Sequence, residues 1–244
     1  MNDRVYLILG ATGGIGSALC RRLSASSARL AFAGRNVDRL QALSNELGGS
    51  IHPLDATSVD AVQQAVDAVI AMHGHLDGLV NCVGSILLKP AHRTSAEEWQ
   101  ATLAANLGTA FSAVRAGAAG MQSSGGSIVL LSSAAACVGL PNHEAVAAAK
   151  AGVIGLALSA AASYASRGIR VNVVSPGLVR TPLSEGLTRN PASEKASIAM
   201  HALGRLGEPG DVASAIAWFL DPEQSWVTGQ VLGVDGGLGS IRSR

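Results

Sequence analysis

Aromatic side chains are almost missing from this chain: three Phe, three Trp and two Tyr in 244 residues. A core so poor in large rings must be filled by Ala, Val, Leu and Ile, which suits thin helices packed closely on a parallel sheet. Charge is also sparse, at 14% of residues with a net of +1. Basic residues cluster only at Arg21-Arg22 and in the tail from Ile241 to Arg244. Nucleic-acid binding draws on a concentrated basic face, so the sequence gives no support for it, and the tail reads as a solvated terminus. The cysteines Cys20, Cys82 and Cys137 are scattered and odd in number. They form neither a disulfide framework nor a metal-ligand spacing, which fits a reducing cytoplasm and no metal. No run reaches the ~20 uninterrupted apolar residues of a membrane helix. Met1–Arg4 leads into a strand-like run without a charged-then-apolar signal pattern. The expectation is a soluble, cytoplasmic protein.

What is present is hydrophobic residues at 48% and 29 glycines, the balance of a compact globular chain. Apolar runs of strand length fall at Val5–Leu9, Leu30–Ala33, Leu79–Asn81, Ser127–Leu131, Val171–Val174 and Val231–Val234. Helical patterns lie between them at Gly14–Leu23, Val37–Leu47, Val59–His73, Ala96–Ala119, Val146–Tyr164 and Asp211–Leu220. Strand and helix in alternation predict right-handed βαβ units and a parallel sheet covered on both faces. Thr94-Ser-Ala-Glu97 has the form of a capping box, and Asn36 or Asp38 caps the second helix. No repeat or linker divides residues 1–244, which read as one domain. Leu183 to Met200, rich in Ser, Gly, Asn and Pro, reads as a lid or substrate loop, with an ordinary surface insertion as the alternative.

The first strand runs into Gly10-Ala-Thr-Gly-Gly14-Ile-Gly16 and then a helix. Glycines there permit a tight turn and a close approach of backbone to a pyrophosphate, at which the helix aims its free amides and positive dipole end. Further ordered motifs follow: Leu54-Asp55-Ala56, Asn81-Cys-Val-Gly84, Ala105-Asn106-Leu107-Gly108 and Ser132-Ser133. After these come Lys150-Ala-Gly152, Asn172-Val-Val-Ser-Pro176-Gly177 with Thr181-Pro182, Arg205-Leu-Gly-Glu-Pro209, and Val227-Thr-Gly229 through Val234-Asp-Gly-Gly237. Together they resemble the short-chain dehydrogenase/reductase family over nearly the whole chain. The resemblance implies a three-layer, doubly wound Rossmann sheet and a nicotinamide dinucleotide held by Gly10, Thr12, Gly14, Ile15, Gly16, Asp55, Asn81, Gly84, Lys150, Pro176, Gly177, Val179 and Thr181. Departures are Leu9 where the family usually has Thr, and Cys82 and Val83 within its Asn-Asn-Ala-Gly motif.

The second strand ends Ala33-Gly34-Arg35. An acid there would bind the ribose hydroxyls and disfavour a 2′-phosphate, whereas Arg35 matches a phosphate with its fork of donors. NADP is therefore favoured over NAD, with a solvated loop arginine as the alternative reading of Arg35. The resemblance further implies hydride transfer between nicotinamide and a ketone or secondary alcohol, oxoacyl compounds included. Ser133 would position the substrate oxygen, Lys150 hold the ribose and Asn106 support a proton-relay water.

The family's proton-carrying Tyr stands four residues before the Lys, on the same helix face. Here that position is Val146. Tyr6 is in the first strand, and Tyr164 lies ~27 Å further along the helix axis, so neither reaches the site. A positioned acid or base is worth ~10²–10⁴ in rate. Three explanations stand side by side. His143 or Glu144 supplies the proton group, an imidazole being suited to it by its ordinary pKa; Lys150 works with Ser133 and a water; or the protein binds dinucleotide without turnover, as a sensor or an oligomer partner. The first competes with a polar loop pair that does no chemistry. The resemblance also implies a homodimer or homotetramer.

Overall fold

The computed structural model describes residues 3–241, and the basic tail beyond Ile241 lies outside them. Among the described residues seven strands are formed: β1 (Val5–Leu9), β2 (Arg29–Gly34), β3 (Ser50–Pro53), β4 (Gly78–Asn81), β5 (Gly126–Leu131), β6 (Ile169–Pro176) and β7 (Val231–Val234). They make one sheet in the order β3-β2-β1-β4-β5-β6-β7, parallel throughout. The order reverses between β1 and β4, the point at which an open α/β sheet parts its loops into a crevice. In register, Leu9 lies level with Ala33 on one side and Asn81 on the other. The carboxyl ends of the three strands therefore open onto the same place.

Helices cover both faces. On one lie α1 (Gly14–Ser24), α2 (Val37–Leu47) and α9 (Pro209–Leu220), packed through Leu19, Leu40, Val212 and Ile216 around Ile8, Phe32 and Val129. On the other lie α3 (Val59–His73), α5 (Thr109–Gly120) and α6 (Glu144–Tyr164), packed through Val66, Ala113 and Val153 around Leu7, Leu79 and Val171. Alternate strand residues point to opposite faces, so both cores are fed from the same strands. The doubly wound, three-layer sheet anticipated from the sequence is present. The helix α6, with the turn after it, is long and apolar enough to cross a membrane by length and composition. Here it packs on β5 and β6 and buries Val146, Ala149, Lys150, Val153 and Ala157.

Three local expectations are corrected. The strand β3 was absent from the apolar pattern because Ser-Ile-His-Pro holds a single large apolar residue. It is an edge strand, exposed at Pro53, that a proline can end. The capping box sits one residue later than Thr94-Ser-Ala-Glu97. Ser95 Oγ accepts from Glu98 N at 3.2 Å and Glu98 accepts from Ser95 N at 2.9 Å, while the Thr94 hydroxyl turns back to the Pro90 carbonyl at 3.2 Å. The expected helix Ala96–Ala119 is instead α4 (Ala96–Leu103), a π-helical turn at Ala104–Gly108, and α5. Thr102 and Thr109 donate back to the carbonyls four residues earlier, and Asn106 Nδ2 takes the Thr102 carbonyl at 2.9 Å. Polar side chains competing for ladder carbonyls open the helix by one residue, as π-bulges at functional positions do. Asn36, not Asp38, caps α2, accepting from Arg39 N at 2.9 Å.

Candidate active site

Close approaches build the turn after β1. Gly10 has φ +74°, and a Cβ there would lie 3.1 Å from the Cys82–Val83 backbone. At Gly16 a Cβ would fall 2.2 Å from the Gly10 carbonyl oxygen, and at Gly14 it would fall 2.7 Å from Thr181 Cγ2. The three glycines thus let the turn fold on itself, lie on the end of β4, and receive the loop after β6. The N-cap of α1 is Gly13, with no capping side chain and no acid in the first turn. A cradle without Cβ atoms under an uncapped helix start fits the pyrophosphate of a dinucleotide. Thr12 and Ile15 belong to this turn.

Around it, Asp55 Oδ1 accepts from Thr57 N and Thr57 Oγ1, both at 2.9 Å, and these bonds, aided by the charge of Arg35, hold its carboxyl below the usual range. Arg35 is exposed just past β2. Sequence reading missed Arg39, whose guanidinium reaches from the first turn of α2 to the Thr12 carbonyl at 2.5 Å. The asparagine cap fixed at Asn36 places it there.

At the end of β4, Asn81 is buried and donates to Thr109 Oγ1 at 3.1 Å while accepting from Val83 N at 3.1 Å. A Cβ on Gly84 would lie 3.0 Å from Asn106 Oδ1 and 3.3 Å from Lys150 Nζ. That glycine is where strand end, π-turn and α6 converge. Asn106 Oδ1 accepts from Ser85 N at 3.2 Å, and its Nδ2 donates to Ser85 Oγ at 3.0 Å. No motif in the sequence marks Ser85 as this partner. Lys150 is buried and donates to the Leu131 carbonyl at 2.9 Å. Burial pulls its pKa from 10.5 to about 8, against a smaller opposing effect of Cys82. Ser132 Oγ donates to the Lys150 carbonyl at 2.8 Å, which pins α6 to the end of β5 at the level of this lysine.

Ser133, Val146, His143, Gly177 and Leu178 line one cavity of about 410 Å³. Ser133 Oγ accepts from Ala135 N at 3.2 Å, so its own hydrogen remains to be donated. His143 Nδ1 lies 2.8 Å from the Pro141 carbonyl. A carbonyl only accepts, so Nδ1 carries the hydrogen and Nε2 is the exchangeable nitrogen. Glu144, the other residue considered, borders a different hollow beside Trp99. The segment Leu183 to Met200 is not structureless: it holds α7 (Glu185–Thr188) and α8 (Pro191–Met200), whose Leu187, Ser193 and Met200 form the cavity's outer wall. His201, also missed, ties that wall to the loop after Pro176. Its Nε2 accepts from Leu178 N at 3.1 Å and its Nδ1 donates to the Ser197 carbonyl at 2.7 Å. Val179 bridges to Gly207, and Thr181 N donates to Ser184 Oγ at 3.0 Å. The Arg205-to-Pro209 motif is structural: Arg205 forks onto Asp211 at 2.6 and 3.0 Å, and Pro209 opens α9. Among the described residues no group of three His, Cys, Asp or Glu side chains could hold a metal.

A family model described as enoyl-(acyl carrier protein) reductase matches residues 10–239. The chain belongs to the short-chain dehydrogenase/reductase family, whose members are nicotinamide-dependent oxidoreductases. D-threitol dehydrogenase of Mycolicibacterium smegmatis is 35% identical over 243 residues, covering 97% of this chain and 93% of its own. The 3-oxoacyl-(acyl carrier protein) reductase of Thermotoga maritima is 36% identical over 245 residues, covering 98% of each. Among solved structures, a short-chain dehydrogenase/reductase from Mycobacterium ulcerans superposes with TM-score 0.92 at 36% identity, covering 100% of this chain and 92% of that one. ElxO with NADP bound superposes with TM-score 0.92 at 27% identity, covering 99% and 100%.

Proposed function

We propose that this short-chain dehydrogenase/reductase is an NADP-dependent oxidoreductase that interconverts a ketone and a secondary alcohol, with His143 in the proton-carrying role that the family gives to a tyrosine. The observation that carries the reading is one cavity shared by Ser133, His143 and Val146, one turn from Lys150. Valine moves no proton. His143 is the side chain on that wall with an exchangeable nitrogen left free by its backbone bond. The glycine turn from Gly10 to Gly16, with Arg35 and Lys150, would hold NADPH, which would supply the hydride for the carbonyl carbon. Ser133 donates a hydrogen bond to the substrate oxygen. His143 Nε2, protonated, gives its proton to that oxygen as the alkoxide forms, and solvent restores it; oxidation of the alcohol runs the same transfers backwards. Lys150 and Asn106 keep binding and positioning roles, Lys150 toward the ribose hydroxyls. NADP over NAD is supported by Arg35 and by Arg39 beside the turn, with no acid at Gly34.

The test is NADPH oxidation over a panel of carbonyl compounds. His143→Ala is expected to lose ~10²–10⁴ in kcat with the NADPH dissociation constant unchanged. Equal turnover by the variant removes His143 from the mechanism. A second reading, a dinucleotide-binding protein without turnover, draws on the apolar side chain of Val146 itself. It gains if every carbonyl is inert and Val146→Tyr creates activity. A cytoplasmic homodimer or homotetramer completes the proposal, supported by the half-exposed Phe111 on α5 and Leu158 on α6.

A further inference from the structure

The walls of the substrate cavity carry more information than its polar corner. Ile86, Leu88, Leu140, Val146, Leu187 and Met200 line it, its surface is mostly apolar, and among the described residues no Asp, Glu, Lys or Arg borders it. Of its two histidines, His201 has both nitrogens bound to the backbone, one as donor and one as acceptor. It therefore offers a ligand nothing but a ring face. Beside the outer wall Arg180 and Glu194 are ion-paired at 2.5 Å, and neither borders the cavity. Unspent polar capacity remains at Ser133 and His143, which line the same cavity, and in the hydroxyls of Ser193 and Ser197 on α8. A volume of about 410 Å³ lies within the usual range for small-molecule pockets.

We infer that the substrate is a neutral, mostly hydrocarbon ketone or secondary alcohol, alicyclic or medium-chain, with one oxygen at the Ser133–His143 corner. A carboxylate or phosphate inside the cavity would give up its water with no cation to receive it, and a polyol would set several hydroxyls against leucine and methionine. The inference rests on the oxidoreductase reading only for the identity of that one oxygen. The apolar preference itself is a matter of binding.

The experiment therefore reads binding and turnover separately. Calorimetry on the full chain with saturating NADP, where a ketone binds without reacting, compares 4-tert-butylcyclohexanone, 4-oxocyclohexanecarboxylate and erythrulose. The neutral ketone is expected to bind at least ~10-fold more tightly than either of the others, a modest share of the cost of burying an unpaired charge. In Met200→Arg, which puts a cation on the half-exposed lid wall, the carboxylate should gain ~10-fold on the neutral ketone. Equal or tighter binding of the carboxylate or the polyol by the unaltered protein, or no binding of the neutral ketone, overturns the inference. If the neutral preference holds while NADPH oxidation is nil for every probe, the substrate class stands and the proton-transfer reading falls. If turnover favours the carboxylate, the oxidoreductase reading stands and the substrate class falls.

Discussion

At the glycine turn a Cβ on Gly16 would lie 2.2 Å from a backbone oxygen, whereas Val146 borders an open cavity with a mostly apolar side-chain lining. The first region is backbone against backbone, and only glycine satisfies it. The second is side chain against open space, where many residues fit and the chemistry depends on which is present. One protein can thus hold the cofactor half of a family site rigidly while its proton-handling half changes. The proposed function draws on both regions, cofactor binding on the glycine turn and proton transfer on the cavity wall.

The comparison breaks most sharply if tyrosine restores what histidine supplies. In a His143→Ala background, Val146→Tyr is expected to recover ~10² or more of the lost kcat, since the new phenol would stand one helical turn from Lys150. No recovery would mean that the cavity differs from the family's in shape as well as in this one residue. At the other end, Gly16→Val should weaken NADPH by ~10²-fold, because the Gly10 carbonyl cannot move aside without unmaking the turn. Fluorescence titration checks it, and affinity within a factor of three of the starting protein would remove the glycine turn as the pyrophosphate site. A smaller effect is expected from Arg35→Ala: ~10-fold weaker NADP with NAD unchanged, the size of one charge-assisted hydrogen bond. A parallel loss for both cofactors would assign Arg35 to the adenine side in general and leave the 2′-phosphate to Arg39.

The smallest effect concerns stability without cofactor. Folded Lys150 releases its proton near pH 8, while unfolded lysine holds it to about 10.5. Between those values the unfolded chain binds more protons, so this residue's contribution to stability rises with pH across that window. The measurement is the difference in urea midpoint between the unaltered protein and Lys150→Met, followed from pH 7.5 upward. Burial pushes the Cys82 thiol up to about 12 in both proteins, so its contribution drops out of the difference except for its weaker coupling to Lys150. A difference that stays flat would show that Lys150 is better solvated than its bond to the Leu131 carbonyl implies.

How much was legible follows from the same contrast. Strands and glycine turns declare themselves through period and composition, and the sheet, its order of elements and the glycine turn after β1 were readable for that reason. The edge strand β3 was not, because its burial is slight and its sequence carries one isoleucine. The π-turn was hidden because helical periodicity continues through Ala104–Gly108, and only side-chain bonds from Thr102, Asn106 and Thr109 reveal the extra residue. At the site, Lys150, Ser133 and Asn106 stood out by their motifs. Arg39 and His201 act through backbone groups distant in sequence, and Ser85 through the Asn106 side chain, contacts which no spacing rule encodes. The separation of His143 from Glu144 likewise depends on which side of the α6 entrance each faces.

The central claim is that a histidine beside a valine carries the proton. A crystal structure of the full chain with NADP and a neutral cyclic alcohol tests it most directly. The account predicts His143 Nε2 within ~2.6–3.2 Å of the alcohol oxygen, Ser133 Oγ on the same oxygen, and Val146 against its hydrocarbon. An alcohol oxygen met by Ser133 and Lys150 through a water, with His143 turned to solvent, would contradict it.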